Sequence, residues 1–386
     1  MTKLPKSVHP FPARMAPELA LEALERFRPG ATVLDPMCGS GTVLKHAVEE
    51  GHYAIGFDLD PLSVLLSRVA CRRMNVQRTY DAATQLVDQA LALKKVVVPW
   101  IDADPETKDF VAYWFARPQL DQLRRLASGL SGKRGPIADL LRVALSRTII
   151  TKERGASLAR DVSHSRPHRV ADENDYDVFE GFLGAAEQIA LTVDRPTKGT
   201  ATVELRDARR LPLNLARSVD LVVSSPPYLN AIDYMRGHRL SLVWLGHRIH
   251  ELRKMRSNAV GAERIPETVS ATARSITPRH RKLSARQQAM LHRYADDMCA
   301  FTAQIASTLR KRGEAVLVVG DCTIQGVYVR NSLIVEQAAD LAGLQVIERR
   351  SRRLPASSRY LPPPARDAGP LSKRMRSEIV LRLIRT

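Results

Sequence analysis

The chain reads as an α/β protein built around parallel βαβ units, and three observations predict it. The stretch "PGATVLDPMCGSGTVLKHAVEEGHYAIGFDLDP" runs strand, glycine-rich turn, helix, strand, which is one βαβ unit of the parallel type. Val219 to Val223 is a short, β-branched run that reads as a buried strand. Pro226 and Pro227 end it, since neither has an N–H to donate to a ladder and each fixes its own φ. The last third of the chain then alternates helical and strand patterns again.

Taken in order, Glu18 to Phe27 has helical spacing, Ala31 to Leu34 is the first strand, Thr42 to Glu50 the helix and Tyr53 to Phe57 the second strand. From about Ala70 to Lys198 the pattern turns helical, as in "QLDQLRRLASGL", "IADLLRVALSRTII" and "DVFEGFLGAAEQIALTV". Between the last two, the polar "TKERGASLARDVSHSRPHRVADEND" is expected to be an exposed loop. The sheet pattern resumes with "TATVELRDARRLP" and the strand from Val219. A helix from about Gln287 to Arg310, a strand from Gly313 to Asp321, a helix near Ser332 to Ala342 and the closing strands "LQVIERRS" and "SEIVLRLIR" complete the chain, with a "LPPPARDAGP" loop between these strands. The expected division is 1–69, a helical insertion over 70–198, and 199–386, with an arginine-rich insertion over about 229–293.

A chain of 386 residues can bury a large core and is long enough for an enzyme. It has no run of about 18 apolar residues, which argues against a membrane span, and "MTKLPKSVHPFPARMAP" lacks the apolar core of a signal peptide. A cytoplasmic location is expected. Cys38, Cys71, Cys299 and Cys322 lie far apart with no CxxC pair, so neither disulfides nor zinc is expected. The net charge of +18 and a pI near 10.1 make nucleic acid the leading partner class, because a polyanion releases counterions when lysines and arginines neutralise its phosphates. The excess is localised: residues 229–293 hold 13 Lys and Arg against 4 Asp and Glu.

In "VLDPMCGSGT", Gly39 and Gly41 let the turn after the first strand pass close to a ligand, and the following helix offers free N–H groups. A P-loop needs a Lys before the Ser/Thr, which "CGSGTVLK" lacks, and the dinucleotide fingerprint needs a third glycine where Leu44 stands. A purely structural turn is the third reading. Asp35 at the strand end would repel a pyrophosphate and suits a ligand with a cationic or amine-bearing portion. Asp58, about 17 residues after Gly41, lies close to where an acidic residue reaches ribose hydroxyls.

"DPMCGSGT", "GFDLDP" and "SSPPY" together resemble the S-adenosylmethionine-dependent amino-methyltransferases of DNA, with a tip ending in SPPY as in the cytosine-N(4) members. The likeness runs through nearly the whole chain. "HPFPARMAP" resembles the family's cofactor-covering N-terminal motif, "RSN" and "WLG" follow the tip as in many modification methylases, and "RMRSEIVL" resembles its C-terminal strand. The resemblance implies a Rossmann-like class I methyltransferase fold, a seven-stranded mostly parallel sheet with a helical insertion, and S-adenosyl-L-methionine as cofactor. It implies that Asp35, Gly39 and Gly41 line the methionine side, with Pro36, Cys38 and Thr42 in the same turn and the Cys38 side chain expected in packing. Asp58 would hold the ribose, with Asp60 beside it, and Asp207 would lie near the adenine. Pro12, Ala13 and Arg14 carry over from the N-terminal motif.

An exocyclic base amine is a poor nucleophile because its lone pair is delocalised into the ring. A site must hold that nitrogen in line with the methyl sulfonium and favour a pyramidal amine. The resemblance assigns this to Ser225, Pro226, Pro227 and Tyr228: the Ser225 hydroxyl and Pro226 carbonyl accept hydrogen bonds, and Tyr228 stacks on a base extruded from the duplex. No general base is obligatory, since the amine becomes a strong acid once methylated. Carbon-5 methylation would need a thiolate after a proline, and the tip has none.

Arg236, Arg239, Arg248, Arg253, Lys254 and Arg256 are expected at the phosphate backbone or base edges. His9, His238 and the histidines of "WLGHRIHELR" are expected at the surface or at phosphates, since no Cys or acidic residue completes a metal set. DNA is the implied partner, in restriction-modification or epigenetic marking, with a cognate restriction endonuclease as a candidate partner. Serine at Ser225 favours cytosine over adenine, and base readout stays open between the two insertions. An RNA guanine-N(2) methyltransferase and a non-catalytic nucleic-acid binder are the competing functions.

Overall fold

The computed structural model of the protein describes residues 7–11, 14–150, 154–160, 167–229, 233–262, 268–324, 326–354 and 377–386. The expected Pro12 and Ala13 contacts and the "LPPPARDAGP" loop lie outside them. Strands β1 (Thr32–Asp35), β2 (Tyr53–Asp58), β3 (Thr200–Leu205), β4 (Val219–Ser224), β5 (Leu309–Val319), β6 (Leu344–Arg353) and β7 (Ser377–Arg385) form one sheet in the order β6-β7-β5-β4-β1-β2-β3. All neighbours from β5 to β3 are parallel, and β7 runs antiparallel to both β5 and β6. The expected seven-stranded, mostly parallel sheet is therefore present. The reversal of order between β1 and β4 opens a crevice at the strand C-termini, where ligands of open α/β sheets bind.

Strand periodicity divides the core. Val33, Leu221, Val223, Val316, Val318 and Val380 pack on α1 (Pro17–Leu24), α2 (Thr42–Glu49) and α3 (Pro61–Ala70). Every residue of β4 is buried, as expected of a central parallel strand covered on both faces.

The helical insertion consists of α4 (Val76–Ala92), α5 (Pro99–Asp102), α6 (Pro105–Trp114), α7 (Arg117–Leu130), α8 (Pro136–Ile149) and α9 (Val178–Val193). After the tip come α10 (Tyr234–Leu242), α11 (Ile249–Asn258) and α12 (Ala271–Ile276), and then α13 (Ala285–Thr308) and α14 (Asn331–Leu341). These last two cover the opposite sheet face through Leu34, Val222, Leu317 and Leu381. Side-chain caps mark the starts: Asp60, Asn75, Asp104, Asp177 and Ser284 each accept from an N–H of the first turn.

The two insertions share one core. Trp244 is fully buried and meets Phe115 edge-on at 5.0 Å, Trp100 donates its ring N–H to the Val243 carbonyl at 2.7 Å, and the Ile249 N–H donates to Thr107 Oγ1 at 3.0 Å. Burying a side chain of this size contributes about 1.5–3 kcal/mol, so the segment after the tip is anchored on the earlier helices.

Two sequence expectations need correction. Within the stretch expected as an exposed loop, Ala156, Leu158 and Ala159 are buried, and the Leu158 N–H donates to the Trp114 carbonyl at 2.8 Å. A few apolar residues in a polar run suffice to pin it. The strand expected from Gly313 begins at Leu309, because Leu309 itself adopts an extended conformation and pairs with Val219. No helix among the described residues is long and apolar enough to cross a membrane.

Candidate active site

β1 delivers Asp35 to the crevice. Its Oδ1 accepts from Ser224 Oγ at 2.8 Å and from the Met37 N–H at 3.2 Å. Burial pushes its carboxyl up to about 7, against these two hydrogen bonds, and the neighbouring Asp58 charge adds to the rise. Asp58 ends β2 and ties down the glycine turn: Oδ2 accepts from the Gly39 N–H and Oδ1 from the Asp60 N–H, both at 2.9 Å. Burial, then the Asp60 charge, pushes Asp58 up to about 6.

Gly39 and Gly41 have φ of 49° and 77°, in the left-handed region that suits glycine. A Cβ on Gly41 would lie 2.8 Å from the Ser67 backbone, so the turn and α3 meet without room for a side chain. Pro36 and Cys38 are buried; Cys38 Sγ accepts from Ser67 Oγ at 3.3 Å, and burial pushes its thiol well above its ordinary value. It packs as a neutral thiol. Thr42 opens α2, with Oγ1 at 3.2 Å from Ser40 Oγ.

The tip leaves β4 beside this turn. Ser224, absent from the sequence-based candidates, is buried and bridges β4 to β1 through Asp35. The Ser225 hydroxyl donates to the Val318 carbonyl of β5 at 3.0 Å, which commits its proton and leaves its oxygen as an acceptor. Pro226 is buried, while Pro227 and Tyr228 are half-buried.

Phe11 and His238 also join the site. A Cβ on Gly39 would touch the Phe11 ring at 3.4 Å, so Phe11 lies over the glycine turn. The same ring stacks on Tyr234 at 5.3 Å and meets His238 at 5.4 Å. His238 is buried with Nδ1 2.5 Å from Asp60 Oδ2. His9 bonds the Pro10 carbonyl at 2.7 Å and Ser146 Oγ at 3.0 Å, fastening the N-terminal segment to α8. The expectation of surface histidines is thus corrected: His238 is buried, and His9 is half-buried and hydrogen-bonded where its segment docks. Phe11 stood inside "HPFPARMAP" and Ser224 beside Ser225, whereas only the fold brings His238 to Asp60. Arg14 is exposed.

Asp207 follows β3, but Arg209 engages its carboxylate at 2.7 Å and also reaches Asp297 at 2.5 Å and the Asn258 carbonyl at 2.7 Å. Burial opposes the Asp207 charge, yet these hydrogen bonds outweigh it and hold the carboxyl below its ordinary range. Asp207 therefore anchors its loop to α11 and α13.

The arginines separate into two sets. Arg253 pairs with Glu106, Arg248 stands at the N-cap of α11 with its backbone N–H donating to Glu251, and Lys254 is exposed. Arg236 and Arg256 both face Asp233, at 3.5 Å and 2.6 Å. Arg239 lies over Phe110 at 5.3 Å, with its Nε buried and unpartnered among the described residues. Burial, then repulsion from Arg256 and Arg236, lowers its pKa. Two guanidiniums thus meet one carboxylate beside the tip, with a third, Arg239, packed on Phe110 nearby.

Seven strands in this order, with β7 alone reversed, make the Rossmann-like fold of class I S-adenosylmethionine-dependent methyltransferases. No family model matches the chain. Among curated proteins it is similar to the type II methyltransferase M.MjaII of Methanocaldococcus jannaschii, 33% identical over 95 residues, which amount to 24% of this chain and 18% of that protein. Solved structures similar to it include an S-adenosylmethionine-dependent methyltransferase from Methanosarcina mazei (8% identity, 96% of this chain and 98% of that one, TM-score 0.35). Another is the rRNA methyltransferase aviRa from Streptomyces viridochromogenes (12% identity, 97% and 87%, TM-score 0.31).

Proposed function

We propose that the protein is an S-adenosylmethionine-dependent DNA methyltransferase acting on an exocyclic base amine, with cytosine N(4) the favoured acceptor. One observation carries this reading: the Ser224–Asp35 hydrogen bond of 2.8 Å joins the SSPPY tip to a glycine turn flanked by the carboxylates of Asp35 and Asp58. The local similarity to a type II methyltransferase supports it.

The residues present fit the cofactor. Asp35, buried, and Asp58, half-buried, are acids pushed up to about 7 and about 6, so a cationic ligand gains from their ionisation, whereas a pyrophosphate would be repelled. Gly39 and Gly41 keep the turn free of side chains, with Pro36, Cys38 and Thr42 completing it. Asp35 would face the methionine portion and Asp58, with Asp60 beside it, the ribose; Phe11 would cover the turn. When bound, S-adenosylmethionine supplies an electrophilic methyl group on a sulfonium.

The chain's own part is to prepare the amine. With its proton committed to Val318, the Ser225 hydroxyl accepts one amine N–H, and the Pro226 carbonyl is the second acceptor. Accepting both draws the nitrogen towards a pyramidal geometry and frees its lone pair. Pro227 stiffens the tip, and Tyr228 offers a face on which an extruded base stacks. Arg236 and Arg256, which face Asp233, and Arg239 beside them offer a site for the target strand's phosphates. Arg253, held by Glu106, ranks behind them.

Purified protein incubated with methyl-labelled cofactor and duplex DNA, followed by nucleoside analysis, tests the proposal. Label on N(4)-methylcytosine is expected. Label only on adenine overturns the base assignment, and label in RNA but never in DNA overturns the substrate.

A further inference from the structure

Asp60 caps α3 with one carboxylate oxygen, Oδ1, which accepts from the Leu62 N–H at 2.9 Å. Its other oxygen faces His238 Nδ1 at 2.5 Å, and both side chains are buried. Its backbone N–H, in turn, donates to Asp58, whose second oxygen holds the Gly39 N–H. A continuous path of hydrogen bonds therefore runs from α10, the helix that follows the SSPPY tip, to the glycine turn. Asp60 and His238 are 178 residues apart in sequence.

The ring cluster reinforces this path. His238 and Tyr234 stand one helical turn apart and both meet Phe11, which lies over Gly39. Rotating His238 away would loosen Asp60 and uncover the ring that seals the turn. A buried imidazole is spent on this contact, while its Nε2 has no partner among the described residues.

We propose that His238 is a positioning residue for the cofactor: through Nδ1 it fixes Asp60, and through Asp60 it fixes Asp58 and the glycine turn, making the cofactor cradle and the helix behind the tip one rigid unit. This rests on the reading of the crevice as an S-adenosylmethionine site. It gives a charge-assisted hydrogen bond in a buried site a defined task, and such bonds are stronger than neutral ones.

The test separates the two ring nitrogens. His238→Asn keeps a donor near the Nδ1 position, whereas His238→Gln places its amide near the Nε2 position and loses Asp60. Binding of S-adenosylmethionine by calorimetry to the full chain is expected within about threefold of wild type for His238→Asn. It is expected to weaken on the order of tenfold or more for His238→Gln, the loss typical of a hydrogen bond to a charged group. With DNA saturating, His238→Gln should raise the KM for cofactor and leave kcat within about twofold. Asp60→Ser retains an N-cap for α3 but cannot reach the imidazole, so it should match His238→Gln, and the double variant should be no worse than either alone. Rescue by Gln but not Asn, additive losses in the double variant, or a fall in kcat with unchanged cofactor affinity would each overturn the proposal. Thermal unfolding of each variant separates misfolding from weakened binding. Failure of the wild-type chain itself to bind would overturn the cofactor reading instead.

Discussion

Replacing Asp35 with Asn should make the protein more stable at neutral to alkaline pH while weakening cofactor binding. The amide is nearly isosteric, and because Ser224 and Met37 both donate to Oδ1, an Asn Oδ1 retains both hydrogen bonds. What changes is the cost of ionisation in a buried site. Each pKa unit corresponds to about 1.4 kcal/mol, so the rise from 3.8 to about 7 amounts to about 4 kcal/mol in full. The folded-state value lies above the unfolded one, so this contribution is fully present below about pH 4 and is lost as pH climbs towards 7. Between pH 5 and pH 8 the wild-type chain should therefore lose about 2–3 kcal/mol relative to Asp35→Asn, with no further divergence above that. Denaturant unfolding of both chains across this range measures it, and other titrating groups largely cancel in the comparison. Parallel stability curves from pH 5 to 8 would refute the reasoning, since they would mean that Asp35 ionises as an ordinary surface carboxylate.

The same carboxylates bear on ligand affinity: a cationic cofactor favours their ionised forms, so calorimetric affinity for S-adenosylmethionine should weaken about tenfold or more from pH 8 to pH 5.5, and Asp35→Asn should flatten most of that dependence. Gly41→Ala should destabilise the chain by about 1–3 kcal/mol, because its Cβ would meet the Ser67 backbone at 2.8 Å, and should lower the melting temperature accordingly. Ser225→Ala should lower methyl-transfer turnover on the order of tenfold, with cofactor affinity by calorimetry unchanged. Arg239→Ala should weaken DNA binding in a titration and reduce the slope of log affinity against log salt by about one, whereas Arg253→Ala, whose charge Glu106 already balances, should change it less.

Local chemistry in the sequence determined much of this molecule. Left-handed φ at Gly39 and Gly41 and a β-branched run stopped by Pro226 and Pro227 are short-range effects, and each stands where its residues predict. The crevice was legible for the same reason: in a parallel α/β sheet, residues just past strand ends converge wherever the strand order reverses. Side-chain commitments were not legible. Asp207 and Arg253 carry charges that the sequence offers to ligands, yet in the folded chain Arg209, two residues on and oriented by Asp297, engages the first and Glu106, 147 residues earlier, pairs with the second. His238 shows no motif, and its meaning comes from Asp60 lying 178 residues earlier. The merging of the two insertions into one core is likewise a matter of which apolar faces meet, and periodicity names a face without naming its partner. Chain sterics and capping act within a few residues, so the sequence alone determined the elements and the turn. Burial, ion pairing and the raised pKa values of Asp35 and Asp58 depend on what the folded chain brings around each group, and only the tertiary structure decided them.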